Sequence, residues 1–169
     1  MTLYKTVSAD GASIHGGDLA WSLPQGDTTG DWHRVEGELV KYRWGIHLTD
    51  DPARWWRPGC RVYLAEAEGA IGSCDDETDR KIVCRGARLL REATVDELAA
   101  LRIYTSGAHE VTDLPAIASG SATVRASGSA TVRAYDSATV EASGSATVEA
   151  YGSATVRAYD SATVEAYGS

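Results

Sequence analysis

The sequence predicts two parts of different kind: an α+β head domain over residues 1–110 and, after a connector over 111–118, a short all-β solenoid over 119–169. Two observations predict this division. From Ser119 onward the chain repeats with a period of eight, and repetition at a fixed period marks architectures built by stacking. Before that point the sequence is aperiodic, holds all five Trp, and mixes alternating apolar–polar runs with helix-start signals.

In the head, residues 3–7 (Leu-Tyr-Lys-Thr-Val) read as a first strand, and Asp10-Gly11 as the turn after it. Gly16-Gly17 and the stretch from Gly26 to Gly30 mark loops. Residues 45–49 form a strand running into Asp51-Pro52, an N-cap followed by proline at the first helical position, which predicts a short helix over 52–56. Residues 61–67 and 81–85 alternate like strands with one buried face, and a Gly- and Asp-rich loop over 69–79 separates them. Thr94-Val95-Asp96-Glu97 is a capping box that opens a helix to about Arg102. Residues 104–117 then lead into the repeat.

The repeat can be read to its geometry. Six full octads begin at Ser119, Ser127, Tyr135, Ser143, Tyr151 and Tyr159, with Tyr167-Gly168-Ser169 beginning another. Within an octad, Ala122, Val124 and Ala126 alternate with Ser121, Thr123 and Arg125, which is the period of a strand with one small apolar face. Gly120 and its equivalents supply a corner, where Gly or Asp tolerates positive φ. With two octads per coil, residues sixteen apart stack, and the pairs Arg125–Glu141, Arg133–Glu149 and Glu141–Arg157 are opposite in charge; only Glu149–Glu165 is not. Three octads per coil would align Arg133 with Arg157 and Glu141 with Glu165. Like charges across a ladder destabilise, so the two-octad coil is expected, with Tyr135, Tyr151 and Tyr167 in one column. About three such coils, at roughly 4.8 Å each, make a stack about 15 Å tall. Its last coil presents unpaired strand edges, and these are expected to be covered by a second copy or by a longer natural chain. A homodimer across this end would use Tyr159, Ala162, Val164 and Tyr167.

Composition narrows the function. A net charge of −8 and no basic stripe argue against a nucleic-acid or anionic-membrane partner. No apolar run suits a membrane span or a signal peptide, so a cytoplasmic protein is expected. Cys60, Cys74 and Cys84 lack C-x-x-C spacing and read as reduced thiols. His15, His33, His47 and His109 share no ligand spacing, so no metal site is expected. The Trp residues read first as core; the alternative is that Trp44, Trp55 and Trp56 line a pocket for a flat ligand.

The segments Gly45-Ile46-His47-Leu48-Thr49-Asp50-Asp51-Pro52, Val62-Tyr63-Leu64-Ala65-Glu66-Ala67-Glu68-Gly69 and Ala87-Arg88-Leu89-Leu90-Arg91-Glu92, followed by Ser-Ala-Thr-Val octads, resemble an uncharacterised family of actinobacteria and their phages. The resemblance spans nearly the whole chain. It implies a phage or prophage setting in a bacterial host cell and brings no activity with it. The first of these segments is also similar to a motif of ADP-ribosyltransferases. That similarity implies NAD as cofactor, with His47 on its ribose, Trp55 or Trp56 stacked on nicotinamide, and Glu66 or Glu68 polarising a ribose hydroxyl. The sequence therefore supports two functions. The first is a non-enzymatic structural or interaction protein without a cofactor, whose head binds a host protein or small ligand and whose solenoid spaces or assembles it. The alternative is a small ADP-ribosyltransferase-like enzyme with an oligomerising tail.

Overall fold

The computed structural model describes residues 1–40, 43–70 and 80–168. Cys74 and most of the loop expected between the strands at 61–67 and 81–85 lie outside the described residues. The chain divides into two compact units, Met1–Ala93 and Thr94–Ser169.

The first unit is built on one six-stranded antiparallel sheet. Its strands are β1 (Leu3–Ser8), β2 (His33–Arg34), β3 (Ile46–Thr49), β4 (Cys60–Glu68), β5 (Lys81–Cys84) and β6 (Gly86–Glu92), in the order β2-β6-β4-β1-β3-β5. Alternation places Val7, Ile46, Leu48, Tyr63, Ala65, Ala87 and Leu89 in one buried cluster, completed by Trp21 and Cys84.

The head expected as α+β is mostly β. Asp51-Pro52 opens only a single 3-10 turn, Pro52–Trp55, and Trp56 leaves it extended at φ −70, ψ 140. Asp51 makes no side-chain cap; its N–H instead donates to Thr49 Oγ1 at 3.0 Å. The reason is local. Pro58 disfavours helical backbone at Arg57, so the segment has too few residues to repay helix nucleation. The second expected helix does form, as α1 (Val95–Ala100), with both capping-box bonds between Thr94 and Glu97 present. It belongs to the second unit.

That unit is a β-solenoid of two parallel sheets. After α1 come β7 (Ile103–Tyr104), β8 (Ala108–Thr112), β9 (Pro115–Ala118), β10 (Thr123–Ser127), β11 (Thr131–Ala134), β12 (Thr139–Ala142), β13 (Thr147–Tyr151), β14 (Thr155–Ala158) and β15 (Thr163–Tyr167). One sheet runs β14-β12-β10-β8 and the other β15-β13-β11-β9-β7. Thr123 pairs with Thr139 and Thr139 with Thr155, so residues sixteen apart stack and a coil takes two octads.

The stack has about four coils rather than three, because residues 108–118 build one without repeating the octad. His109 and Val111 take the ladder positions of Val124 and Ala126, and Ala116 and Ala118 those of Val132 and Ala134. The expected connector at 111–118 is therefore mostly strand, and residues 94–110 belong with the solenoid instead of the head.

Charges and rings stack as the two-octad register requires. Arg125 reaches Glu141 at 3.2 Å, Arg133 reaches Glu149 at 3.0 Å, and Arg157 reaches Glu141 at 3.7 Å. Tyr135, Tyr151 and Tyr167 stack with centroids 4.9 and 4.8 Å apart. The adverse neighbours Glu149 and Glu165 each accept a hydrogen bond, from Tyr151 at 3.2 Å and Tyr167 at 2.6 Å. The bond to Glu165 and its negative charge push the Tyr167 phenol up to about 12.

Corners carry glycine at 120, 128, 144 and 152 and aspartate at 136 and 160, all at positive φ. Gly120 and Gly144 sit at φ 59 and 67, and Asp136 and Asp160 at 56 and 55. The aspartates also tie coils together: Asp136 accepts from Ser119 Oγ at 2.6 Å, and Asp160 from the Gly144 N–H at 3.3 Å. Asp136→Ala should therefore lower stability in urea titrations by about 1–2 kcal/mol, because alanine keeps the β-carbon strain of this conformation but loses the carboxylate bonds that offset it. Asp136→Gly should stay within about 1 kcal/mol of the parent, since glycine removes the strain as it removes the bond. Equal losses in both variants would contradict the corner's backbone requirement.

Candidate functional site

In the first unit, β1, β3 and β5 lie side by side, and β1 pairs with β3 through Tyr4 and Thr49. These strands, with the loop bearing His15 and the 3-10 turn bearing Trp55, line a cavity of about 210 Å³. Its lining includes Lys5, His15, His47, Thr49, Trp55 and Lys81. Opposed residues share a face, so Tyr4 with Thr49, and Thr49 with Lys81, present to the same side of the sheet.

Lys5 is a cation in the middle of a strand. Its ammonium donates to the His47 carbonyl at 3.1 Å and lies 5.4 Å from the centre of the Trp21 ring. Burial, reinforced by the nearby Lys81 charge, pushes the Lys5 amine down to about 8, against a smaller opposing pull from Cys84. The Lys81 ammonium stands 3.7 Å from the centre of the Trp55 ring, a cation–π contact. His15 Nε2–H donates to the Trp55 carbonyl, which can only accept, and its ring meets Trp55 edge-on at 5.3 Å. Burial holds the His15 imidazole below its ordinary range, as do Arg57, Lys5 and Lys81, against the bond to Trp55. His47 is lowered too, by burial and then by Lys5 and Lys81, with a hydrogen bond to the Gly45 backbone opposing. On the inner side, burial pushes the Cys84 thiol up to about 11. Lys5 and Lys81 both belong to the lining, yet the register sets their side chains on opposite faces of the sheet, Lys5 with Tyr63 and Lys81 with Thr49.

The candidate residues separate in space. His47 and Trp55 both line the cavity. Trp56 is buried, and Trp44 is 53% exposed with its indole N–H donating to the Glu36 carbonyl at 2.7 Å. Glu66 and Glu68 are absent from the lining; Arg88 holds Glu66 at 2.7 Å and Arg34 holds Glu68 at 2.9 Å. Trp21 is a core residue, whereas Trp32 lies beneath the guanidinium groups of Arg34 and Arg88. Lys5, Lys81 and His15 were not anticipated as site residues. One signal could have found two of them: of the chain's three lysines, Lys5 and Lys81 stand in the two apolar strand runs.

A second cavity, of about 320 Å³, lies on the four-stranded solenoid sheet between Glu110, Arg125, Glu141 and Tyr159. Here Arg125 is flanked by Glu110 at 4.0 Å and Glu141 at 3.2 Å, so its charge is already answered. At the far end of the stack, Tyr159, Val164 and Tyr167 are 54%, 39% and 46% exposed, and Ala162 is partly buried. Among the described residues no three His, Cys, Asp or Glu side chains gather as a metal site, and Cys60 and Cys84 are free thiols. No helix among them is long and apolar enough to cross a membrane.

Comparison with protein-family models, curated proteins and solved structures found no match to this chain.

The site makes a titration prediction. The lowered amine means that the unfolded chain, with Lys5 at 10.5, binds the extra proton between about pH 8 and 10.5, so this group makes stability rise with pH across that window. Cys84 acts oppositely between about 9 and 11, where the folded state keeps the extra proton. Carbon-13 NMR of the three lysines should show Lys5 titrating near 8, and Lys5→Met should remove the rising component of stability. A Lys5 midpoint near 10.5 would contradict the geometry.

Proposed function

We propose that this is a non-enzymatic interaction protein, in which the first unit binds a ligand or partner through the Lys5–His47–Lys81 cavity and the solenoid self-associates. The observation that carries the reading is the state of the last coil. Val148 is fully buried, whereas Val164, its ladder neighbour one coil on, is 39% exposed, and β14 and β15 form the outer edges of their sheets. Apolar positions and open strand edges together favour pairing with another chain. Two copies meeting end to end about a two-fold axis satisfy both edges at once. The family that the sequence resembles sets this reading in a phage or prophage, acting in the cytoplasm of a bacterial host on a host protein or small ligand.

The ADP-ribosyltransferase alternative needs a carboxylate beside His47. Glu66 and Glu68 are ion-paired outside the cavity, which favours the non-enzymatic reading. NAD hydrolysis by the purified chain, lost in Glu66→Ala or Glu68→Ala, would reverse that preference.

Self-association is tested by light scattering over a range of concentrations. The parent chain should have the mass of a dimer, and Ala162→Lys/Val164→Lys, which places charge on the exposed edge, should have that of a monomer. A monomeric parent at every concentration would refute self-association and leave the solenoid as a spacer.

A further inference from the structure

We propose that the outermost coil of the solenoid recognises a second copy of itself in one defined register. In it, β14 of each copy pairs antiparallel with β15 of the other, and the two stacks continue through a single core. The inference rests on the reading of the solenoid as a self-associating element, and adds which strand meets which and at which residues.

The hydrogen bonds of this coil fix what its edge offers. Thr155 donates its N–H to the Ala138 carbonyl at 2.9 Å, and Thr163 donates its own to the Ala146 carbonyl at 2.9 Å, both toward the preceding coil. Backbone groups alternate in direction along a strand, so Val156 and Val164 turn their N–H and C=O to the open side. Their side chains continue the inward column in which Val124, Val132, Val140 and Val148 are fully buried. Yet Val164 is 39% exposed. A fitting partner must therefore supply strand hydrogen bonds at the valines and apolar cover over them. The same edge of a second copy supplies both, with Val156 opposite the second copy's Val164.

Helical rise decides between the two ways of joining such edges. The corners at Gly152 and Asp160 have φ 65 and 55, and each is closed by the same bond, Ala154 N–H to the Tyr151 carbonyl and Ala162 N–H to that of Tyr159. The two octads of the coil are thus equivalent. Each climbs half of the roughly 4.8 Å between coils, so β15 stands about 2.4 Å beyond β14. A two-fold axis parallel to the strands sets the second copy's β15 over β14, and its β14 over β15, at equal separations. An axis across the strands sets β14 over β14 and β15 over β15, at separations differing by about 4.8 Å. Only the first closes both sheets.

Charge agrees with the crossed arrangement. With Val156 opposite Val164, the outward pairs are Arg157 opposite Thr163 and Thr155 opposite Glu165. Arg157 then lies diagonally from Glu165 of the second copy, within reach of long side chains. Along its own sheet Glu165 follows Glu149, a like charge, and a cation across the joint answers that adverse neighbour. Arg157 reaches Glu141 at 3.7 Å while its side chain stays 66% exposed, which leaves donors for a second carboxylate. An axis across the strands would keep Arg157 and Glu165 on separate sheets, with no opposite charge over either.

The test is disulfide trapping in the full chain, with the parent carried through the same mild oxidation. Arg157→Cys/Thr163→Cys puts thiols at a directly opposed pair without mutual hydrogen bonds, where a spacing of about 4.5 Å suits a disulfide. This variant should become a covalent dimer, with the linkage between positions 157 and 163 found by mass spectrometry of its peptides. Thr155→Cys/Glu165→Cys joins the same two strands and should do likewise, which guards against misfolding of the first variant. Thr155→Cys/Arg157→Cys, which would link β14 to β14, should form no linkage between copies. As an independent readout, Arg157→Glu should weaken dimerisation by about threefold to tenfold, and adding Glu165→Arg to it should restore the parent affinity. A β14–β14 linkage, a dimer that traps neither crossed pair, or unchanged affinity in Arg157→Glu overturns the register while self-association stands. A parent that is monomeric by light scattering at every concentration overturns both.

Discussion

The sixteen-residue register of the parallel ladders is the constraint on which the second unit depends. Each coil must return every side chain to the height of its equivalent one coil earlier, because the hydrogen bonds of parallel strands fix the spacing. Once Thr123 lies beside Thr139, all else in the octad follows: Val124 on Val140, Arg125 on Glu141, Ala126 on Ala142. The interior is then a column of valine and alanine, with Val124, Val132, Val140 and Val148 fully buried. Small side chains are required there, since the two sheets are joined by short corners and leave little space between them. What the thin core lacks in apolar area is offset by repetition: ladder hydrogen bonds, a tyrosine column, alternating charge, and aspartates that reach from one corner to the next.

The first unit obeys a different constraint. Its sheet is aperiodic, and one strand carries a lysine where an apolar residue would be ordinary. Lys5 is opposed to the buried Tyr63 on β4, and its ammonium escapes an apolar surrounding by turning to a backbone carbonyl and an indole ring. Such a placement lowers the basicity of the amine and costs stability while it is charged. A residue of this kind in a cavity is a functional candidate on physical grounds, because a core would be more stable without it.

The octad was legible because its ladder neighbours sit at a constant offset, so charge signs along the sequence select the coil directly. The same logic missed the first coil. His109, Val111, Ala116 and Ala118 perform the work of the octad's valines and alanines without its spacing, and the paired strands differ by fifteen residues on one sheet and sixteen on the other. The capping box at Thr94 was legible because both of its hydrogen bonds are local. The Asp51-Pro52 signal misled because a start signal does not set a helix's length: Pro58 and the entry into β4 stopped the helix after one turn.

By itself, the sequence determined the solenoid, its two-octad coil, the tyrosine column, the corners, and the strand runs of the first unit, all of which follow from short-range alternation or fixed repetition. The tertiary structure alone decided the order of the six strands, and with it the site. Lys5 and His47 are 42 residues apart, and only the antiparallel placement of β3 between β1 and β5 brings Lys5, His47 and Lys81 to one cavity. The same pairing carried Glu66 and Glu68 away to arginine partners. Periodicity specifies which face of a strand is buried; which strand lies beside it is set by packing across the whole sheet, and no local pattern encodes that.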